Sequence, residues 1–99
     1  MALLHELEDV LKACSGYLTR PESIQIIKDA YAYMESKHEG QFRKSGEPYK
    51  YHLIEVAYTL ATFNVGPTTI AAGLLHDVVE DTDTSIEEIS NLFGDDVAF

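Results

Sequence analysis

The chain contains few of the residues that indicate a secreted or membrane-spanning protein. It has one cysteine, Cys14, no tryptophan, and no apolar run close to the roughly 20 residues that a membrane span needs. A single cysteine forms no internal disulfide bond, which favours a reducing compartment. The N-terminus carries neither the basic region nor the continuous apolar run of a signal peptide. We therefore predict a cytoplasmic protein with no membrane partner.

Basic residues are also scarce, and they are unevenly placed. Seven Lys and Arg stand against seventeen Asp and Glu, which gives a formal net charge of −10. Residues 51–99 hold nine of the acids and none of the bases. This balance excludes a general nucleic-acid surface in this segment. A small anionic ligand stays open, provided that a metal ion or a basic loop from the first half supplies positive charge.

Apolar residues recur at helical spacing along the chain, and no segment has the pattern of a strand. Prolines at first helical positions and glycines at helix ends mark the boundaries. The predicted helices span residues 2–14, 20–37, 51–63, 67–80 and 85–93. Since 99 residues leave room for one domain, we predict a single all-α domain over residues 1–99. The last residues resemble the start of another helix, so we expect this chain to be the N-terminal part of a longer protein.

The end of the predicted helix 67–80 carries four polar groups, His76, Asp77, Glu80 and Asp81. Spacings of three and four residues place them on one flank of a helix. Three carboxylates on one turn repel each other unless a cation lies among them. An imidazole with carboxylates suits a divalent ion such as Mn²⁺, Fe²⁺ or Zn²⁺. A solvated acidic helix end is the alternative. His52, near the start of the third helix, either packs there or adds a second imidazole to the site.

Positive charge is concentrated around the loop between the second and third helices. Residues 39–49 contain two glycines and a proline, which favour a loop. In or beside this loop lie four of the seven bases, Lys37, Arg43, Lys44 and Lys50. Such groups suit phosphate contacts or stacking on a nucleotide base. An ordinary exposed basic loop is the alternative.

Three ordered motifs resemble the hydrolase domain of RelA/SpoT homologues, which are alarmone synthetase/hydrolases and small alarmone hydrolases. The motifs are residues 38–49 (HEGQFRKSGEPY), His52, and residues 73–82 (GLLHDVVEDT). The resemblance covers about residues 20–99. It implies an all-α HD-superfamily phosphohydrolase bundle, of which this chain supplies the N-terminal part. It also implies Mn²⁺-dependent release of pyrophosphate from the 3′ position of guanosine 3′,5′-bis(diphosphate) or its pentaphosphate form.

The resemblance also implies roles for residues at matching positions. The implied metal ligands are His52, His76 and Asp77. The implied acidic pair that positions or activates the attacking water is Glu80 and Asp81. The implied contacts to the guanine nucleotide come from Arg43, Lys44 and Ser45. In the family a fourth metal ligand, an aspartate, lies downstream of the position of residue 99.

One position departs from the family pattern, because Leu53 stands where the family usually has a proline after the histidine. This change removes no ligand. Two other functions stay open on the sequence: an HD phosphohydrolase of another nucleotide, and a catalytically inactive helical fragment that binds or regulates. The sequence also leaves open self-association of the chain, and whether a synthetase domain follows in the parent protein.

Overall fold

The computed structural model describes residues 5–42, 44, 46–82, 84–94 and 97, and of Glu80 and Asp81 it describes the backbone alone. The described residues form six helices: α1 Leu7–Cys14, α2 Pro21–Lys37, α3 Lys50–Thr62, α4 Pro67–Leu75, α5 Val78–Asp81 and α6 Ile86–Phe93. Beyond these helices, the same residues contain one isolated antiparallel bridge, between Phe42 and Pro48. The predicted all-α fold is therefore confirmed.

Local sequence signals explain where the helices begin and end. Pro21 and Pro67 occupy the first turns of α2 and α4, where a missing N–H costs no hydrogen bond. Ser85 caps α6, since its hydroxyl accepts a hydrogen bond from the Glu88 N–H at 3.1 Å. Gly94 ends α6 with a φ of 93°, a conformation that glycine adopts without steric cost.

Two predicted helix boundaries were wrong. The predicted helix 2–14 begins only at Leu7 among the described residues, and residues 1–4 lie outside them. The N–H of Glu6 donates to Asp9 Oδ2 at 2.8 Å, which closes the first turn of α1 at this point. The predicted helix 67–80 is interrupted by a turn at His76 and Asp77, which separates α4 from α5.

A hydrogen bond from a side chain explains the interruption of the predicted helix 67–80. In a continuous helix the Gly73 carbonyl would accept from the N–H of Asp77, four residues later. Here the same carbonyl lies 2.8 Å from Nδ1 of His76, so the imidazole binds to the end of α4. Neither a proline nor a glycine marks this turn, and the apolar pattern continues through it.

The core lies where α4 packs against α2 and α3, with α1 against α3 and α2. The largest fully buried side chains come from four helices and the start of α5: Val10, Cys14, Ile27, Met34, Leu53, Ile54, Ile70, Leu74 and Val78. At Gly73, a Cβ would lie 2.7 Å from Cδ1 of Leu60 on α3. The absence of a side chain at Gly73 therefore lets the end of α4 approach α3 closely, directly before His76.

The described N-terminal residues pack on the outer side of α3. The ring of His5 stacks on Tyr58 with centroids 3.9 Å apart, and its Nδ1 lies 2.6 Å from Oε1 of Glu55. Within the part of the chain that the structure describes, no helix combines the length and apolar character that a membrane crossing requires.

Candidate metal centre

Three side chains that are capable of binding a metal ion come together where α3 meets the turn between α4 and α5. His52 lies in the first turn of α3, and His76 and Asp77 form the turn. One donor atom from each side chain lies within 4.8 Å of the other two. These are the three residues that the sequence predicts as metal ligands. Two imidazoles and one carboxylate suit a divalent ion and leave coordination positions open for water and substrate oxygens.

The hydrogen bond of His76 determines which ring nitrogen faces this cluster. A carbonyl oxygen only accepts, so Nδ1, at 2.8 Å from the Gly73 carbonyl, carries the proton. In a neutral His76, Nε2 then carries a lone pair and no proton. It lies 3.2 Å from Oδ1 of Asp77. Two acceptors at this distance repel each other unless a cation, either a proton or a metal ion, lies between them. The nearby imidazole of His52, with its ring centroid 6.3 Å from that of His76, favours a metal ion.

Tyr49, the last residue of the motif at residues 38–49, contacts this cluster directly. Its hydroxyl donates to Oδ2 of Asp77 at 2.6 Å. Its ring meets His52 edge-on, with centroids 5.6 Å apart at 67°. A signal for this role exists in the sequence, because Tyr49 stands three residues before His52 and such pairs share one face of a helix.

His38 supports Tyr49 from the other side and is 3% exposed. The rings of His38 and Tyr49 stack with centroids 5.0 Å apart at 25°. Nδ1 of His38 lies 3.0 Å from Oε1 of Gln41, whereas its buried Nε2 has no hydrogen-bond partner among the described residues. His38, Tyr49 and His52 therefore form a continuous row of rings that ends at the metal ligands.

The other predicted site residues are described only in part. Glu80 and Asp81 belong to α5, one turn beyond Asp77, and their side chains are not described. Arg43 and Ser45 lie outside the described residues, and Lys44 is exposed. The roles of these five residues remain predictions.

Two lysines from the predicted basic region contact side chains outside the loop. The Nζ of Lys50 lies 2.8 Å from Oε2 of Glu35 on α2. This ammonium holds the pKa of Glu35 below its ordinary value, and Glu35 raises the pKa of Lys50. Lys37 lies 5.6 Å from the centroid of the Tyr33 ring. The exposed Lys44 therefore offers more free positive charge than Lys50 does.

A cleft of about 530 Å³ lies between α2 and the loop. It is lined by His38, Phe42, Pro48, the Glu35–Lys50 pair and neighbouring residues, but not by the three metal-binding candidates. His38 lines the cleft, and its ring also stacks on Tyr49, which contacts the metal cluster.

Comparisons with known proteins give matches along most of the chain. Residues 30–99 match the family described as "HD domain", which confirms the predicted type of helical fold. A Spiroplasma citri protein named guanosine-3′,5′-bis(diphosphate) 3′-pyrophosphohydrolase is 43% identical over 91 residues, which is 92% of this chain and 12% of that protein. A Myxococcus xanthus protein named GTP pyrophosphokinase is 49% identical over 84 residues, 85% of this chain and 11% of that protein.

A third relative carries both activities in its name. The bifunctional (p)ppGpp synthase/hydrolase SpoT of Escherichia coli is 43% identical over 77 residues, 78% of this chain and 11% of that protein. These names confirm the resemblance to RelA/SpoT homologues. The chain spans only about an eighth of the length of the relatives that it matches.

Proposed function

The chain belongs to the HD domain family, and from this membership we propose that it is part of a guanosine-3′,5′-bis(diphosphate) 3′-pyrophosphohydrolase. The substrates are guanosine 3′,5′-bis(diphosphate) and its pentaphosphate form. Water attacks the phosphorus bonded to the 3′ oxygen, the bond between that oxygen and phosphorus breaks, and the 3′ oxygen takes a proton. The products are pyrophosphate and GDP or GTP. The parent protein is either a bifunctional synthetase/hydrolase or a small alarmone hydrolase, and it acts in the cytoplasm.

The observation that carries this proposal is the convergence of His52, His76 and Asp77, with one donor atom of each within 4.8 Å of the others. Nδ1 of His76 is bonded to the Gly73 carbonyl, so Nε2 faces Oδ1 of Asp77 at 3.2 Å, and a cation placed there would contact both atoms. We propose Mn²⁺ as the ion. When bound, it supplies a water of lowered pKa and polarises the phosphoryl oxygen.

The remaining steps belong to side chains of this chain. Glu80 and Asp81 lie one turn beyond Asp77, and we propose that they orient the attacking water and accept its proton. Arg43, Lys44 and Ser45 precede Tyr49 in the sequence, and we propose that they hold the guanine nucleotide. The positive charge of this segment offsets the phosphate charge near an otherwise acidic half of the chain.

The experiment is a product analysis on the native gene product that contains this chain. The protein is incubated with Mn²⁺ and, in separate reactions, the tetraphosphate alarmone, the pentaphosphate alarmone, GTP and ATP. We expect pyrophosphate with GDP from the first substrate, and pyrophosphate with GTP from the second. The Asp77→Asn variant is expected to lose this activity. Asp29→Asn is the matched control, since Asp29 is exposed on α2 and bonded to Gln25.

Different outcomes point to different functions. Release of phosphate or pyrophosphate only from another nucleotide would indicate an HD phosphohydrolase of different specificity. Retention of full alarmone hydrolysis in Asp77→Asn would reject the site. No hydrolysis of any substrate, together with no Mn²⁺ binding, would indicate a binding or regulatory role for this region.

A further inference from the structure

The two carboxylate oxygens of Asp77 have different partners. Oδ2 accepts a hydrogen bond from the hydroxyl of Tyr49 at 2.6 Å, whereas Oδ1 lies 3.2 Å from Nε2 of His76. A distance of 2.6 Å lies within the usual range of about 2.5–2.7 Å for a hydroxyl donating to a carboxylate, which is the stronger class of hydrogen bond. This bond opposes rotation of the carboxylate. It therefore keeps Oδ1 directed at His76.

The ring of Tyr49 is held on two sides. The buried ring of His38 stacks on it, and the ring of His52 meets it edge-on. The side chain of Tyr49 thus contacts two of the three candidate ligands, one through its hydroxyl and one through its ring.

The backbone of Tyr49 is fixed as well. Its N–H donates to the Gln41 carbonyl at 2.9 Å, across the base of the loop that the Phe42–Pro48 bridge closes. Its carbonyl accepts from the N–H of His52 at 3.1 Å, in the first turn of α3. Local hydrogen bonds therefore hold the backbone from which the Tyr49 side chain extends.

We propose that Tyr49 is a positioning residue of the metal centre, which makes Asp77 a monodentate ligand through Oδ1 and holds the imidazole of His52 in its binding orientation. This inference rests on the proposed function of His52, His76 and Asp77 as metal ligands. Groups that hydrogen-bond to metal ligands fix the orientation of those ligands, and their loss weakens metal affinity by about 10- to 100-fold. Tyr49 also joins the base of the basic loop to the metal ligands.

The test is metal affinity in a variant that removes only the hydroxyl. Tyr49→Phe keeps the stacked ring, and the dissociation constant for Mn²⁺ is measured by calorimetry on the native gene product. We expect Mn²⁺ binding weaker by about 10- to 100-fold than in the wild type. Tyr51→Phe is the matched control, because Tyr51 lies two residues further on and its hydroxyl donates to Glu6 instead. Its Mn²⁺ affinity is expected to match the wild type.

A second variant and a second measurement separate positioning from a structural role. Tyr49→Leu also removes the ring beside His52, and we expect it to bind Mn²⁺ more weakly than Tyr49→Phe. A purely structural role would lower the melting temperature of metal-free Tyr49→Phe and leave its Mn²⁺ affinity unchanged. Wild-type affinity in Tyr49→Phe would overturn this inference and leave the proposed function intact. Failure of the wild type to bind Mn²⁺ would overturn both.

Discussion

The imidazole rings of His52 and His76 lie with their centroids 6.3 Å apart and their planes at 63°, although His52 lies in α3 and His76 in the turn after α4. The close approach of α4 to α3 at Gly73, three residues before His76, makes this geometry available. Backbone packing between two helices therefore determines whether the metal donors meet.

Filling the space at Gly73 is expected to separate the two histidines. In Gly73→Val the new Cβ would lie 2.7 Å from Leu60 Cδ1 and 3.4 Å from Val56 Cγ1, so the Leu60 side chain must shift and the contact between α4 and α3 is disturbed. We expect the free energy of unfolding to fall by about 1–3 kcal/mol, and Mn²⁺ binding to weaken. Gly16→Val is the control, since a Cβ at Gly16 meets no atom within 4 Å. Denaturant titration and calorimetry measure both effects, and unchanged metal affinity in Gly73→Val would contradict the packing argument.

The acidic pair is expected to act in catalysis rather than in metal binding. We predict that Glu80→Gln and Asp81→Asn each lower kcat by roughly 10²- to 10⁴-fold, the range expected for loss of a general base. Their Mn²⁺ affinity is expected to stay within a few-fold of the wild type. Pyrophosphate release and calorimetry on the same preparations separate the two effects. A loss of Mn²⁺ binding as large as that in Asp77→Asn would instead make these residues ligands.

The exposed Lys44 is expected to contribute to nucleotide binding. Removing its ammonium in Lys44→Ala should raise KM for the alarmone by about tenfold or more, since a hydrogen bond to a charged group contributes about 1.5–3 kcal/mol. We expect kcat to change less than KM. Lys28→Ala, which removes an exposed lysine on α2, serves as the control. Equal KM values in Lys44→Ala and Lys28→Ala would remove Lys44 from the nucleotide site.

The Glu35–Lys50 ion pair is expected to make a small, pH-dependent contribution to stability. Lys50 lowers the pKa of Glu35, so the contribution is present above the ordinary pKa of glutamate and is lost as the pH falls through the lowered pKa. Since the two side chains are 47% and 27% exposed, solvent screens the pair and we expect only about 0.5 kcal/mol. Glu35→Gln should therefore be less stable than the wild type at about pH 7 and equally stable at about pH 3.

Urea titrations of both proteins at the two pH values measure this difference. The difference at about pH 7 should also shrink in high salt, because salt screens exposed charges. A difference of the same size at both pH values would show that Glu35→Gln acts through packing and not through charge.

Much of the fold follows from the sequence, because the helical apolar pattern and the residues that begin and end helices are local properties. Pro21 and Pro67 begin helices and Gly94 ends one, as their conformational preferences predict. The turn at His76 and Asp77 does not follow, because it depends on a side-chain hydrogen bond to the Gly73 carbonyl. Such a bond does not change the pattern of apolar residues, so that pattern does not predict it.

The candidate site likewise combines features that the sequence predicts with features that depend on tertiary packing. The spacing within residues 76–81 and the second imidazole of His52 indicate the metal cluster before any coordinates are known. The contact between Tyr49 and Asp77 joins residues that are 28 positions apart, and only the tertiary packing reveals it. The sequence likewise assigns Lys50 to the basic loop, whereas the folded chain pairs it with Glu35 on α2.

The most direct measurement of the central claim is the metal dependence of alarmone hydrolysis by the native gene product. The protein is stripped of metal with a chelator, and pyrophosphate release is followed as Mn²⁺ is added back, for the wild type and His76→Ala. The account predicts no activity without metal, recovery in the wild type as Mn²⁺ binds, and none in His76→Ala. His5→Ala, whose histidine stacks on Tyr58 away from the cluster, should recover like the wild type. Full hydrolysis by the metal-free wild type, or recovery of His76→Ala to wild-type rates, would contradict it.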